Sequence, residues 1–173
     1  MTDKVLLIGM MGAGKSAVGA ALGARLGWPY VDNDSMLLRT SGHTAPQLVE
    51  SGGEPALRVA ESRVLTMMLA LPGPLVGGVP GGVVLDDTDR TRLAAAQAHV
   101  VWLRAAPAVL ARRVGHDAGR PWLGDDPLAS LRRLAAERNP LYEQVADQVV
   151  DVDVLPVGAV AKAILAALQD SGQ

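Results

Sequence analysis

The chain has 173 residues, 49% of them hydrophobic, and a formal net charge of −2 at pH 7. That length supports one domain with a sizeable core, and the charge leaves no global bias toward nucleic acid or an anionic membrane. The absence of cysteine excludes disulfides and thiolate metal sites. Aromatic residues make up 3%, with no Phe, too few for stacking platforms on single-stranded nucleic acid.

Lys4-Val5-Leu6-Leu7-Ile8 is a short apolar run, predicted as a buried strand. The run breaks at Gly9, so no signal-peptide-like segment opens the chain. Nothing approaches the roughly 20 apolar residues of a membrane helix, and a cytoplasmic protein is expected. Gly9-Met10-Met11-Gly12-Ala13-Gly14-Lys15-Ser16 fits the phosphate-loop pattern G-x-x-x-x-G-K-[ST], and the spacing predicts a helix from Ser16 to Leu26. Strand, glycine loop and helix together give the pattern its meaning. Glycines let backbone N–H groups curl around a phosphate, and the helix N-terminus adds partial positive charge. Lys15 would reach the β- and γ-phosphates, and the Ser16 hydroxyl would meet Mg²⁺. An ordinary glycine-rich turn is the plainer alternative.

Tyr30-Val31 leads into Asp32-Asn33-Asp34, read as a strand ending in acids. Open α/β sheets bind ligands at such strand ends. Alternate strand residues face opposite sides, so one carboxylate would serve Mg²⁺ through water and the other an acceptor. The two acids could equally solvate a turn and cap a helix. Short helices are expected near Met36–Thr40 and Thr44–Glu50, the second closed by Ser51-Gly52-Gly53. A longer helix follows from about Glu54 to Leu71, with Arg58 and Glu61 one turn apart and able to pair. Leu75-Val76 opens another strand, followed by Gly77-Gly78-Val79-Pro80-Gly81-Gly82. Repeated glycines there allow close backbone approach to a ligand, although a flexible turn accounts for them too.

Thr88 or Asp89 is expected to cap a helix to about Ala96, before a strand at His99–Leu103. Pro107 starts a helix that reaches Val114. Residues 115–127 are rich in Gly, Pro and Asp without apolar period, so they read as a mobile loop. Arg120 lies inside it, and an arginine on a closing lid can neutralise a phosphoryl group in transfer. Taken singly, this arginine, like Arg58, Arg112, Arg113 and Arg138, could equally be a surface cation. Leu128–Glu137 is helical, with Pro140 breaking or restarting it. Gln148–Val152 is the last strand, and the final helix carries an apolar stripe from Val157 to Leu168. His43, His99 and His116 show no ligand spacing. Five strands alternating with helices predict a mostly parallel sheet covered on both faces, a single domain over 1–173. Inserted elements at about 33–62 and 115–126 read as a substrate-binding subdomain and a lid.

These segments together resemble the shikimate kinase family over essentially the full chain. The phosphate loop is similar to that family's G-x-M-G-[AS]-G-K-[ST], and its D-x-D motif falls at Asp32-Asn33-Asp34. F-R-x-x-E appears as Leu57-Arg58-Val59-Ala60-Glu61, and the lid motif R-P-L-L as Arg120-Pro121-Trp122-Leu123. R-x-P-L-Y stands intact at Arg138-Asn139-Pro140-Leu141-Tyr142, and V-D-x-x-x-x-x-P runs from Val150-Asp151 to Pro156.

The resemblance implies an α/β/α sandwich of P-loop kinase type with a five-stranded parallel sheet. It implies transfer of the ATP γ-phosphate to the 3-hydroxyl of shikimate, on the way to chorismate and the aromatic amino acids, by a cytoplasmic monomer. By position, Lys15, Asp34 and Arg120 would carry catalysis. Gly12, Ala13, Gly14, Lys15, Ser16, Ala17, Arg113, Arg120, Asp153 and Pro156 would bind ATP. Ser16 and Asp32 would serve Mg²⁺. Asp34, Arg58, Gly81, Gly82, Arg120 and Arg138 would bind shikimate. Pro80 departs from the family's first of three glycines, removing one N–H donor and fixing φ. Gly81 is expected to supply its N–H still. Rival readings are a gluconate or nucleoside monophosphate kinase on the same scaffold, and a nucleotide-binding regulatory module without catalysis.

Overall fold

A computed structural model describes residues 3–114 and 123–170. Five strands form one sheet: β1 (Lys4–Ile8), β2 (Tyr30–Val31), β3 (Leu75–Gly78), β4 (His99–Arg104) and β5 (Gln148–Asp151). Their order is β2-β3-β1-β4-β5, and every pairing is parallel. Val5 of central β1 stands opposite Val76 on one side and His99 on the other. Val5, Leu6, Leu7 and Ile8 are all buried, as are Val100 to Leu103. A parallel sheet covered on both faces needs continuous apolar runs of this kind.

Among the described residues seven α-helices cover it: α1 (Lys15–Leu26), α2 (Asn33–Ser41), α3 (Ala45–Ala70), α4 (Asp87–Ala94), α5 (Pro107–Val114), α6 (Pro127–Val145) and α7 (Val157–Asp170). α1 packs with α7, while α5 and α6 pack together and α4 contacts α3 and α6. The result is the expected three-layer α/β/α fold. The chain leaves β1 toward β2 and β3 on one flank, then crosses to β4 and β5 on the other. The carboxyl end of β1 is therefore the topological switch point, where open α/β sheets form their ligand crevice. No helix among the described residues is long and apolar enough to cross a membrane.

Three local expectations change. Asp32-Asn33-Asp34 does not extend the strand: β2 stops at Val31 and α2 begins at Asn33, with Asp32 as its N-cap. An Asp side chain competes well for the free amides of a first helical turn, and Asp32 accepts from the Ser35 N–H at 2.9 Å. α4 is capped by Asp86 rather than by the expected Thr88 or Asp89, whereas the break expected at Ser51-Gly52-Gly53 stands, as a kink at Gly53 (φ 70°) between two helical stretches. Pro140 neither ends nor restarts α6. Its buried stripe, Leu131, Leu134, Ala135, Arg138, Tyr142 and Val145, continues through the proline. Pro140 and Ala136, whose carbonyl loses its partner, both lie on the solvent side, where water can satisfy the freed group. The loop expected at 115–127, with His116 and Arg120, falls mostly outside the described residues.

Candidate functional site

The phosphate loop leaves β1 at Gly9, whose φ of 140° excludes ordinary side chains. A Cβ there would also sit 2.7 Å from the Leu103 carbonyl oxygen. Gly14, at φ 95°, caps α1 without any side-chain hydrogen bond, and the first turn of α1 contains no acid. By contrast α2, α4 and α6 are capped by the carboxylates of Asp32, Asp86 and Asp126. The first amides of α1 are thus left for an external anion, with the helix dipole behind them. Lys15 Nζ donates to the carbonyls of Gly9 (2.7 Å) and Met10 (3.3 Å), which holds the ammonium over the loop.

Asp32 reaches back to the same place. Its Oδ1 accepts from the Ser16 hydroxyl at 3.1 Å and the Tyr30 hydroxyl at 3.3 Å. Its Oδ2 accepts from the Ser35 N–H and, at 3.1 Å, the Ser35 hydroxyl. Partial burial pushes this carboxyl's pKa up, but the four donors outweigh it and hold the group below the usual Asp value. A depressed folded pKa means that the stabilisation is present at neutral pH and lost as the pH falls through the folded value. Asp32→Ala is therefore expected to cost about 1 kcal/mol at pH 7, a Tm drop of about 2–4 °C. The gap to wild type should begin to narrow below about pH 4 and close as the pH falls through the lower folded value. A gap of constant size across that range would contradict this account.

Asp34, two residues on, is exposed on the first turn of α2 and borders a cleft of about 680 Å³. The same cleft is lined by Gly12, Gly14 and Lys15 of the phosphate loop, by Arg58 and Glu61 of α3, by Gly81 and Gly82 beyond β3, and by Arg138 of α6. Met11, Leu37, Leu57 and Pro46 supply apolar wall. Residues from five separate stretches of chain therefore converge at the switch point.

The arginines carry the site's electrostatics. Arg58 Nη2 donates to Glu54 Oε1 at 2.6 Å, and Nη1 donates to Glu61 Oε2. Burial pulls the Arg58 pKa down, yet the two carboxylates more than offset it and the guanidinium stays charged. Burial pushes the Glu61 carboxyl up, against the pull of Arg58. Gly82 makes room for this pair: a Cβ there would collide with both the Arg58 guanidinium and the Glu61 carboxylate. Arg138 is 4% exposed. The Nε–H groups of both Arg58 and Arg138 are buried without an acceptor. Each such orphan donor costs about 1–3 kcal/mol, so two beside one cleft call for an acceptor from outside the chain.

A second group of expected residues lies on the far side of the phosphate loop. Arg113 Nη2 donates to the Val152 carbonyl at 2.5 Å and Nη1 to the Gly12 carbonyl at 3.4 Å. Asp153 accepts from the Ala106 N–H at 2.8 Å, and the Pro156 carbonyl accepts from Ala159 and Val160 at the start of α7. These contacts tie the 152–156 segment to the loop's edge. Ala13 is buried beneath the loop, whereas Ala17 is exposed on α1. Sequence reasoning missed Glu54 and Tyr30. The i,i+4 spacing of Glu54 and Arg58 could have found the first. Tyr30 lies two residues before Asp32, and the extended chain between them brings its hydroxyl to Oδ1.

A phosphate loop at the switch point, with acids and arginines across a shared cleft, defines a P-loop kinase of a small anionic acceptor. Family-level similarity agrees with that class. A family model described as shikimate kinase matches residues 11–169, and the chain belongs to the shikimate kinase family. The shikimate kinase of Nitrobacter winogradskyi is 43% identical over 149 residues, 86% of this chain and 69% of that protein. The shikimate kinase of Halorhodospira halophila is 38% identical over 168 residues, 96% and 94% of the two chains. The solved shikimate kinase of Acinetobacter baumannii in complex with shikimate superposes with a TM-score of 0.91 at 31% identity. It covers 97% of this chain and 93% of its own.

Proposed function

We propose that this chain transfers the γ-phosphoryl group of ATP to the 3-hydroxyl of shikimate. The observation that carries the reading is the pair of buried, acceptorless Nε–H groups on Arg58 and Arg138, beside the cleft that also holds Lys15 and Asp34. A carboxylate is the planar acceptor that guanidinium groups match best. Shikimate offers a carboxylate at one end of its ring and hydroxyls at the other.

In this reading Arg58 and Arg138 grip the carboxylate, with Glu61 and Glu54 orienting Arg58. Gly81 and Gly82 offer amides to ring substituents, and Asp34 receives the proton of the attacking 3-hydroxyl. The hydroxyl oxygen bonds to the γ-phosphorus as the bond to the β,γ-bridging oxygen breaks, and ADP leaves. The loop amides of Gly12 to Ala17 and Lys15 hold the phosphates, and Arg113, Asp153 and Pro156 flank the adenine. The reaction is chiefly positioning and charge neutralisation.

The Ser16 hydroxyl and Asp32 carboxylate offer hard oxygen ligands beside the loop, a donor set that suits Mg²⁺. The four hydrogen bonds already made to Asp32 favour contact through metal-bound water. When bound, the ion would neutralise charge on the β- and γ-phosphates. The segment at about 33–62 would act as a substrate-binding subdomain and 115–126 as a lid carrying Arg120. We place the enzyme in the cytoplasm as a monomer that binds neither nucleic acid nor membrane.

An ADP-release assay with shikimate, gluconate and nucleoside monophosphates tests the acceptor. Turnover with shikimate alone, yielding a monophosphate ester at O3 by ³¹P NMR, is expected. Turnover with another acceptor, or with none, would overturn the reading.

A further inference from the structure

Tyr142 is fully buried, and its hydroxyl donates to the Gly81 carbonyl at 2.7 Å. Its ring packs against Trp102 of β4, with centroids 5.7 Å apart, so the phenol is held in one orientation. Burial lifts the phenol pKa to about 12, and the group remains a donor at all working pH values. The Gly81 carbonyl that it holds belongs to a turn of unusual construction. Pro80 contributes no N–H. Neither the Gly81 nor the Gly82 amide donates to another group among the described residues, and both glycines line the cleft. Gly81 also packs close to the phosphate loop: a Cβ there would stand 3.1 Å from the Gly9 carbonyl oxygen, which accepts from Lys15.

We propose that Tyr142 is a positioning residue for the acceptor site: it fixes the Gly81 peptide so that the 81–82 amides stay aimed at the substrate. Tyr142 and Arg138 lie four residues apart on one buried face of α6. One rigid helical turn thereby sets the distance between the carboxylate-gripping guanidinium and the amide donors. Gly81, which the phenol holds, itself packs close to Gly9 of the loop that carries Lys15. This inference rests on the shikimate reading of the cleft.

The test is Tyr142→Phe, which keeps the ring and deletes the hydroxyl, assayed beside wild type with shikimate and ATP varied separately. Loss of one oriented donor should raise the shikimate KM about tenfold, with kcat and the ATP KM close to wild type. A lowered Tm with unchanged shikimate KM would reduce Tyr142 to a packing residue and overturn the proposal. Equal rises in both KM values would do so as well. Pro80→Gly is the second arm and does not depend on folding of the first variant. With the phenol in place the turn stays held, and the shikimate KM should remain within about twofold of wild type. A tenfold rise would mean that the proline sets the amides, against the proposal. If wild type itself fails to phosphorylate shikimate, the acceptor reading falls and this inference with it. A wild type active on shikimate beside an unaffected Tyr142→Phe isolates failure of the inference alone.

Discussion

Lys15→Ala should lower kcat by about 10²–10³-fold, the usual loss when a preorganised donor to developing charge is removed. The ammonium already lies over the loop, hydrogen-bonded to the Gly9 and Met10 carbonyls, so little reorganisation is needed when phosphates arrive. The fold should survive. β1 and the buried face of α1, Val18 and Leu22, do not depend on the side chain. Single-turnover kinetics together with a far-UV CD melt check both halves. A kcat within threefold of wild type would remove Lys15 from the phosphoryl-transfer step.

Arg138→Lys should raise the shikimate KM about thirtyfold, the equivalent of roughly 2 kcal/mol for a lost charge-assisted hydrogen bond. Lysine keeps the charge but not the planar fork, and its three donors sit on a point. Because Arg138 is buried on α6 while the phosphate loop belongs to the β1–α1 connection, the ATP KM should barely move. Isothermal titration of each ligand separates the two effects. Equal weakening of both would contradict the assignment of Arg138 to the carboxylate. The contrast with Tyr142→Phe is informative: Arg138 touches the ligand in this reading, whereas Tyr142 acts through Gly81.

Much of the fold was legible because its signals are local. The apolar run of β1, the glycine pattern ahead of α1 and the Pro at the start of α5 each act within a turn or two of chain. Errors arose where a local signal had two meanings. Asp32 is compatible with a strand end or a helix cap, and the cap won because Ser35 and Ser16 both offered donors. Pro140 looked like a helix breaker, but its burial pattern placed it on the solvent side, where the missing bond costs little. In both cases two local readings competed, and the choice between them turned on hydrogen-bond donors and burial that the residue type alone does not state.

The site divides the same way. Lys15 and Ser16 could be read from eight consecutive residues, since the loop's chemistry is encoded in its own backbone. Arg58 and Arg138 were named from motifs 80 residues apart, and nothing in their spacing said that both would end beside one cleft. Only the crossover from β3 to β4, which puts α3 and α6 on opposite flanks of β1, lets both arginines line the cleft at its carboxyl end. The phenol of Tyr142 meeting the Gly81 carbonyl is of that kind too. The amino-acid order by itself determined the strand and helix periods, the phosphate loop and the charge types available. Tertiary structure decided which donors lost water without gaining a partner, because desolvation depends on what packs overhead rather than on neighbours along the chain.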